Sequence, residues 1–231
     1  MTPETALHRL IAPGAARPVF IAHGGGNSRR LTHEALAAKA EYLEVDLWVH
    51  KGRLEARHER RVPLRVPALY EKWYMRFPPR DAFGLRDLVE AACPAAGLFL
   101  DLKDGGPAAS RLVAEALGAS PPRPVAASSQ CWGLLRPLAE AAPGVMLFYS
   151  VDVQAKLDLF LSVAGRDHRP RGVSCRHSLL TPPVVAELHA RGLDVVAWTV
   201  DDGARAAELA AMGVDGITTH RVAELRALVG G

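Results

Sequence analysis

The sequence predicts a single (β/α)8 barrel of the triosephosphate-isomerase type spanning residues 1–231, without an inserted subdomain. Three observations point to it. Short apolar or β-branched runs alternate with Ala- and Leu-rich stretches of helical period, eight such strand–helix units can be counted, and 231 residues with 49% hydrophobic content suffice for one core of barrel size. An open doubly wound sheet shows the same alternation, and the count of eight selects the closed barrel.

The strands are expected at residues 19–22, 42–48, 97–101, 125–128, 145–149, 172–174, 194–199 and 216–219, and the helices at 32–41, 85–92, 107–117, 132–141, 153–163, 182–190, 203–212 and 222–228. Thr181-Pro182 reads as an N-cap followed by proline in the first turn, and Arg191-Gly192 places a cation and a glycine at a helix end. The stretch from Arg60 to Phe83, with four prolines and Tyr70, Trp73, Tyr74, Met75 and Phe77 among them, is expected to be a loop, either a cap on the barrel rim or an aromatic lid over a substrate.

The formal charge is only +3 and the 28 Lys and Arg are scattered, which argues against a nucleic-acid surface and leaves room for a local phosphate site. Cys93, Cys131 and Cys175 are odd in number and far apart, as expected of reduced thiols in a cytoplasmic protein. No charged start precedes an apolar run, and no stretch of about eighteen apolar residues occurs, so no stable membrane insertion is expected. The oligomeric state is left open.

Barrel active sites lie at the C-terminal ends of the strands, so polar residues directly after an apolar run carry weight. The first strand runs into His23 and then Gly24-Gly25-Gly26-Asn27, where glycines permit a tight turn and the close approach of a ligand. A lone histidine there is more often structural than catalytic, and its neighbours decide the reading. Glu44 and Asp46 are two residues apart on a strand and share a side. If that side is the lumen, the carboxylates need a cation, and hard oxygen ligands suit Mg²⁺ or Ca²⁺. The alternative turns them outward and leaves Leu43, Val45 and Leu47 to fill the lumen.

Asp101 would complete a three-carboxylate site, with Lys103 balancing its charge or holding a phosphate oxygen. His58, after the alternating run Arg53–Arg57, is placed to return across the mouth towards His23, and two histidines flanking a metal-bound phosphate form a base and acid pair. His220 ends the last strand and faces the same mouth. His33, His50, His168, His177 and His189 lack such company and read as surface or packing residues.

In this order His23, Glu44-Val45-Asp46, His58, Asp101-Leu102-Lys103, Val196–Asp201 and Gly213–Ile217 resemble the glycerophosphodiester phosphodiesterase family, from Val19 to Thr219. The resemblance implies His23 and His58 as catalytic pair, Glu44, Asp46 and Asp101 around one Mg²⁺ or Ca²⁺, Lys103 near the phosphate and Trp198 lining the pocket. It also implies a cyclic phosphate made by a neighbouring hydroxyl of the alcohol, which water then opens. Two departures matter. Gly24 stands where most members carry arginine, and the turn before Thr32 has Asn27, Ser28, Arg29 and Arg30 but no metal-binding glutamate.

An acid-free first loop and an Asp-Leu-Lys third strand are similar to the phospholipase D (sphingomyelinase D) branch of spider venoms and some microbes, in which Asn27 would match an asparagine after the first histidine. The expected activity is therefore metal-dependent cleavage of glycerophosphodiesters. The alternatives are a phospholipase D-like enzyme releasing a cyclic phosphate from lysolipid substrates and a non-catalytic phosphate-ester binding protein.

Overall fold

The computed structural model describes residues 10, 17–59, 68–70, 73–75, 82–92, 95–104, 106–118, 123–163 and 170–229. In chain order they form β1 (Val19–Ala22), α1 (Arg29–Ala37), β2 (Tyr42–His50), β3 (Arg53–Ala56), β4 (Ala68–Tyr70), β5 (Trp73–Met75), α2 (Leu85–Ala92), β6 (Gly97–Leu102), α3 (Gly106–Leu117) and β7 (Val125–Ser129). A 3-10 turn at Trp132–Leu134 then leads into α4 (Leu135–Ala141), followed by β8 (Met146–Val151), α5 (Gln154–Val163) and β9 (Gly172–Arg176). A second 3-10 turn at His177–Leu179 precedes α6 (Pro182–Ala190), β10 (Asp194–Trp198), α7 (Gly203–Ala211), β11 (Gly216–Thr219) and α8 (Val222–Val229).

The parallel strands β1, β2 and β6 to β11 close into the expected eight-stranded barrel, because β1 pairs with β11 from Val19–Gly216 to Ala22–Thr219 and with β2 through Ile21–Tyr42 and Ala22–Leu43. The short run after the Lys51-Gly52 turn is β3, antiparallel to β2, and it carries the chain back towards the mouth. Within the stretch expected to be a loop, β4 and β5 pair as a small antiparallel hairpin through Leu69–Tyr74. Phe77 and the rest of that stretch, residues 60–67, 71–72 and 76–81, lie outside the described residues, as do Cys93 and His168.

Helix ends follow local chemistry. The first helix begins at Arg29, earlier than its apolar period suggests, because the Ser28 hydroxyl accepts a hydrogen bond from Leu31 N (3.2 Å). It stops at Ala37 as Lys39 turns to a positive φ of 60°. Thr181 does occupy the cap of α6, but its hydroxyl makes no capping bond, and the terminus rests on the proline in the first turn. Gly192, just past α6, has φ +74°, as a helix-ending glycine should.

Strand alternation divides the interior in two. Outward-facing Leu43, Val45, Leu47, Leu98, Leu100 and Val195 join a core beneath the helices. Inward-facing Ile21, Tyr42, Phe99, Met146, Phe148 and Val196 fill the N-terminal half of the lumen, with Leu10 packed against them. Tyr42 Oη donates to Leu10 O (3.2 Å) and Leu10 N to Asp194 Oδ2 (3.4 Å), while the Arg171 guanidinium grips both oxygens of Asp194. Apolar packing thus seals one end, and polar side chains gather at the other. Among the described residues no helix is long and apolar enough to cross a membrane.

The lumen is tight at Gly172, where a Cβ would stand 2.0 Å from Asp194 O and 2.8 Å from the Phe148 ring. Gly172→Ala is expected to lower stability by about 1–3 kcal/mol in chemical denaturation, the usual cost of overpacking. Gly144→Ala, where a Cβ meets nothing within 4 Å, should change it by no more than about 1 kcal/mol. Equal effects at the two positions would contradict this packing.

Candidate active site

Because Leu43, Val45 and Leu47 belong to the helix-facing core, Glu44 and Asp46 point into the lumen together with Tyr42. Parallel register sets Asp46 beside Asp101 and Asp101 beside Ser128, so the acids of β2 and β6 meet at one level of the barrel. Among the described residues, Glu44, Asp46 and Asp101 form a group whose potential ligand atoms all lie within 4.8 Å of one another. Asp46 is fully buried and Glu44 is 5% exposed.

Among the described residues one ammonium enters this cluster. Lys103 Nζ is hydrogen-bonded to Asp101 Oδ2 and paired with Asp46 Oδ1 at 2.7 Å, yet no hydrogen bond of acceptable geometry reaches that buried Asp46 oxygen. Three carboxylates around one lysine leave two negative charges over, if all ionise. The titration behaviour reflects the imbalance. Burial first, and then the Asp46 charge, raise Glu44 well above the ordinary range. Burial also raises Asp101, against the pull of Lys103. For Asp46 burial is outweighed by Lys103 and the Asn27 amide, which hold its pKa down. Lys103 is itself desolvated, but the acids around it hold its proton more firmly than in a free lysine. Hard oxygen donors that outnumber the ammonium beside them fit a divalent cation.

The loop after His23 is shaped around the same acids. Gly24 has φ +63°, a conformation that a residue with a Cβ would hold only under strain, and its N–H donates to Glu44 Oε2 (2.6 Å). Gly26 N donates to Glu44 O (2.8 Å), and a Cβ on Gly26 would come within 2.7 Å of Val45 Cβ. Asn27 clasps Asp46. Its Oδ1 accepts from Asp46 N (2.9 Å) and its Nδ2 donates to Asp46 Oδ2 (2.6 Å). An acid there could not make the second bond.

His23 stands half-buried above the cluster, its Nδ1 3.2 Å from Thr199 Oγ1. The exposed His58, beyond β3, has its ring centre 6.3 Å from that of His23, and His220 is closer still at 4.4 Å. Burial, followed by the charge of His220, lowers the His23 pKa to about 4, so at neutral pH its ring is uncharged and able to accept a proton. His33 and His189 are exposed, His50 and His177 half-buried, and none of the four lines the pocket. Arg29 and Arg30 open α1 as exposed residues, Arg30 bonded to Glu34 at 2.6 Å.

His23, His58, Glu44, Asp101, Lys103 and Trp198 line a cavity of about 180 Å³. Its other walls include Ser128, Ser150, Ser174 and Thr218, four buried inward-facing hydroxyls that the sequence reading passed over. Their signal was small polar residues where barrel strands usually carry bulky branched ones. Thr199 and Asp201 were also missed as site residues. Asp201 accepts from Thr219 Oγ1, His220 N and His220 Nδ1 at 2.8, 2.9 and 2.8 Å.

The sequence model of the glycerophosphoryl diester phosphodiesterase family matches residues 108–224. The chain belongs to this family. The matched span carries Trp198, Asp201 and His220, whereas His23, His58, the three acids and Lys103 precede it. A candidate glycerophosphodiester phosphodiesterase of Bacillus subtilis (strain 168), YhdW, is 43% identical over 47 residues, which are 20% of this chain and about a fifth (19%) of that relative's length. The fold is shared with a phosphodiesterase from Oleispira antarctica, solved with its product sn-glycerol-3-phosphate (TM-score 0.76, 17% identity, 93% of this chain and 98% of that one). It is shared as well with a glycerophosphodiester phosphodiesterase from Parabacteroides distasonis (TM-score 0.73, 19% identity, 93% and 97% covered).

The excess charge makes a prediction about stability. In the metal-free fold Glu44 holds its proton more tightly than in the unfolded chain, so its contribution favours the fold at low pH and is lost as pH rises above the ordinary glutamate range. Melting in EDTA should therefore show Glu44→Gln gaining on the wild type as pH increases, while added Mg²⁺ or Ca²⁺ stabilises the wild type more than the variant. A variant that tracks the wild type at every pH, with and without the ion, would rule out the charge imbalance.

Proposed function

We propose that this chain is a divalent-metal-dependent phosphodiesterase that cleaves glycerophosphodiesters into a glycerol phosphate and an alcohol, using His23 and His58 for proton transfer. One observation carries the reading. A neutral, half-buried histidine lines the same small cavity at the C-terminal rim of a barrel from this family as Glu44 and Asp101, two members of the three-carboxylate cluster. The Oleispira antarctica protein, with sn-glycerol-3-phosphate in a barrel of the same fold, supports the substrate class.

Glu44, Asp46 and Asp101 would hold Mg²⁺ or Ca²⁺. When bound, such an ion neutralises charge developing on the phosphoryl oxygens. The chain's own groups account for the rest. His23 accepts the proton of a glycerol hydroxyl, whose oxygen forms a bond to phosphorus while the bond from phosphorus to the leaving oxygen breaks. His58 delivers a proton to that oxygen. A hydroxyl already tethered near phosphorus attacks with a high effective concentration, which makes a cyclic phosphate the first product and leaves water to open it. Lys103 offers a point charge to a non-bridging oxygen. Trp198 and the hydroxyls of Ser150, Ser174 and Thr218 suit a small polyol, since they offer one flat face and several hydrogen-bonding groups.

A second reading, which rests on the resemblance of the acid-free loop with Asn27 to the phospholipase D branch, ends the reaction at the cyclic phosphate and takes a lysolipid as substrate. Phosphorus NMR separates the two, with a prompt monoester expected from the first and a lasting cyclic phosphate from the second. In either case His23→Asn and His58→Asn should each lower kcat by about 10²–10⁴-fold with little change in melting temperature. Wild-type turnover by either purified variant would remove the histidine pair from the mechanism. Tight phosphodiester binding by a metal-loaded wild type without turnover would instead indicate a binding protein.

A further inference from the structure

Beside His23 the structure holds a second imidazole with its own carboxylate. We propose that Asp201 and His220 form a positioning dyad that fixes the His23 ring for proton transfer, an inference resting on the catalytic reading of His23 above.

The dyad is built from the ends of two strands. Asp201 lies just beyond β10, and its Oδ1 accepts both from Thr219 Oγ1 (2.8 Å) and from the backbone N–H of His220 (2.9 Å). Its Oδ2 lies 2.8 Å from His220 Nδ1. Arg221 Nη1 donates to the carbonyl of Asp201 (2.8 Å), tying the same two loops once more. Three bonds to one carboxylate fix both the backbone and the ring of His220, and with Nδ1 directed at Asp201 the ring has lost its freedom to rotate. Burial alone would raise the Asp201 pKa, yet the bonds from His220 and Thr219 bring it below the ordinary value, so Asp201 stays an acceptor.

The fixed ring then meets His23. The two centres are 4.4 Å apart and the planes are inclined at 41°, a tilted packing of one ring on the other. Thr199 Oγ1 approaches His23 Nδ1 from the end of β10, and His23 N donates to Thr219 O (2.9 Å). Thr219, the residue before His220, thus holds the backbone of His23 while the His220 ring packs against its imidazole. Side-chain exposures of 57% for His220 and 42% for Asp201 place the dyad at the rim, where an ion pair adds little to stability. A stabilising role for the core does not explain it, whereas orientation of His23 does. His58, by contrast, faces His23 from 6.3 Å.

The test uses the full-length, metal-loaded protein with glycerophosphocholine as substrate, together with His220→Ala and Asp201→Asn. Misplacing a proton-transfer group typically costs rate and not binding, so His220→Ala should lower kcat about 10- to 100-fold and leave KM within about twofold. Asp201→Asn should show a smaller loss of the same kind. Added imidazole, refilling the vacated rim position, should restore part of kcat in His220→Ala. The imidazole resonances of His23, followed by NMR without substrate, should shift or broaden in both variants while melting temperatures hold. An unaltered kcat, or a loss confined to KM, would overturn the dyad. If the wild type proves inactive, the catalytic reading fails, and the His23 resonances still judge the dyad, since an unchanged spectrum would overturn it too.

Discussion

Three carboxylates held together in the mouth of a barrel are the constraint around which the rest is arranged. Two charges no more than 4.8 Å apart repel by at least about 3 kcal/mol at an effective dielectric constant of about 20, and among the described residues one ammonium, that of Lys103, stands among the three. A fold that keeps such a cluster must supply compensating groups, and each recognisable feature of the rim does so. Lys103 reaches in from the end of β6, Gly24 turns its N–H towards Glu44, and Asn27 holds Asp46 from two sides. The remaining imbalance is the physical basis for expecting a divalent ion.

The barrel makes that cluster possible at modest structural cost. Parallel register aligns Asp46 with Asp101 without any special loop, and the apolar half of the lumen below, sealed by Leu10, Phe99 and Phe148, keeps water from the acids on that side. Above it, Ser128, Ser150, Ser174 and Thr218 replace the bulky layer of a packed barrel and leave space for a ligand. His23 and the Asp201–His220 pair stand at the edge of this space, one just after β1 and the other on the loops after β10 and β11, strands that come next to it in order round the barrel.

Much of this was legible because strand periodicity is a strong signal. Apolar runs located all eight barrel strands, and the alternation in Tyr42–Leu47 showed that Glu44 and Asp46 share a face, which the packing of Leu43, Val45 and Leu47 assigns to the lumen. Long-range side-chain directions were not legible. Asn27 is a loop residue whose partner is nineteen positions away, so nothing local tells that its amide turns to Asp46 and not outward. The pairing of Asp201 with His220 depends on two loops meeting across adjacent strands. Small hydroxyls such as Ser150 and Ser174 carry meaning only when the layer they occupy is known. The β4–β5 hairpin lies in a proline-rich stretch, where turn residues mask a strand of three residues on each side.

The proposed chemistry needs a divalent ion, which Glu44, Asp46 and Asp101 would hold. The most direct measurement is a crystal structure of the protein soaked with Mn²⁺ and a non-hydrolysable phosphodiester analogue, with the ion located by its anomalous signal. The account predicts one peak among the three carboxylates, at about 2.0–2.6 Å from an oxygen of each, with the phosphate beside it and within reach of His23. Lys103 still paired with Asp46 and Asp101, and no peak between them at saturating Mn²⁺, would contradict it.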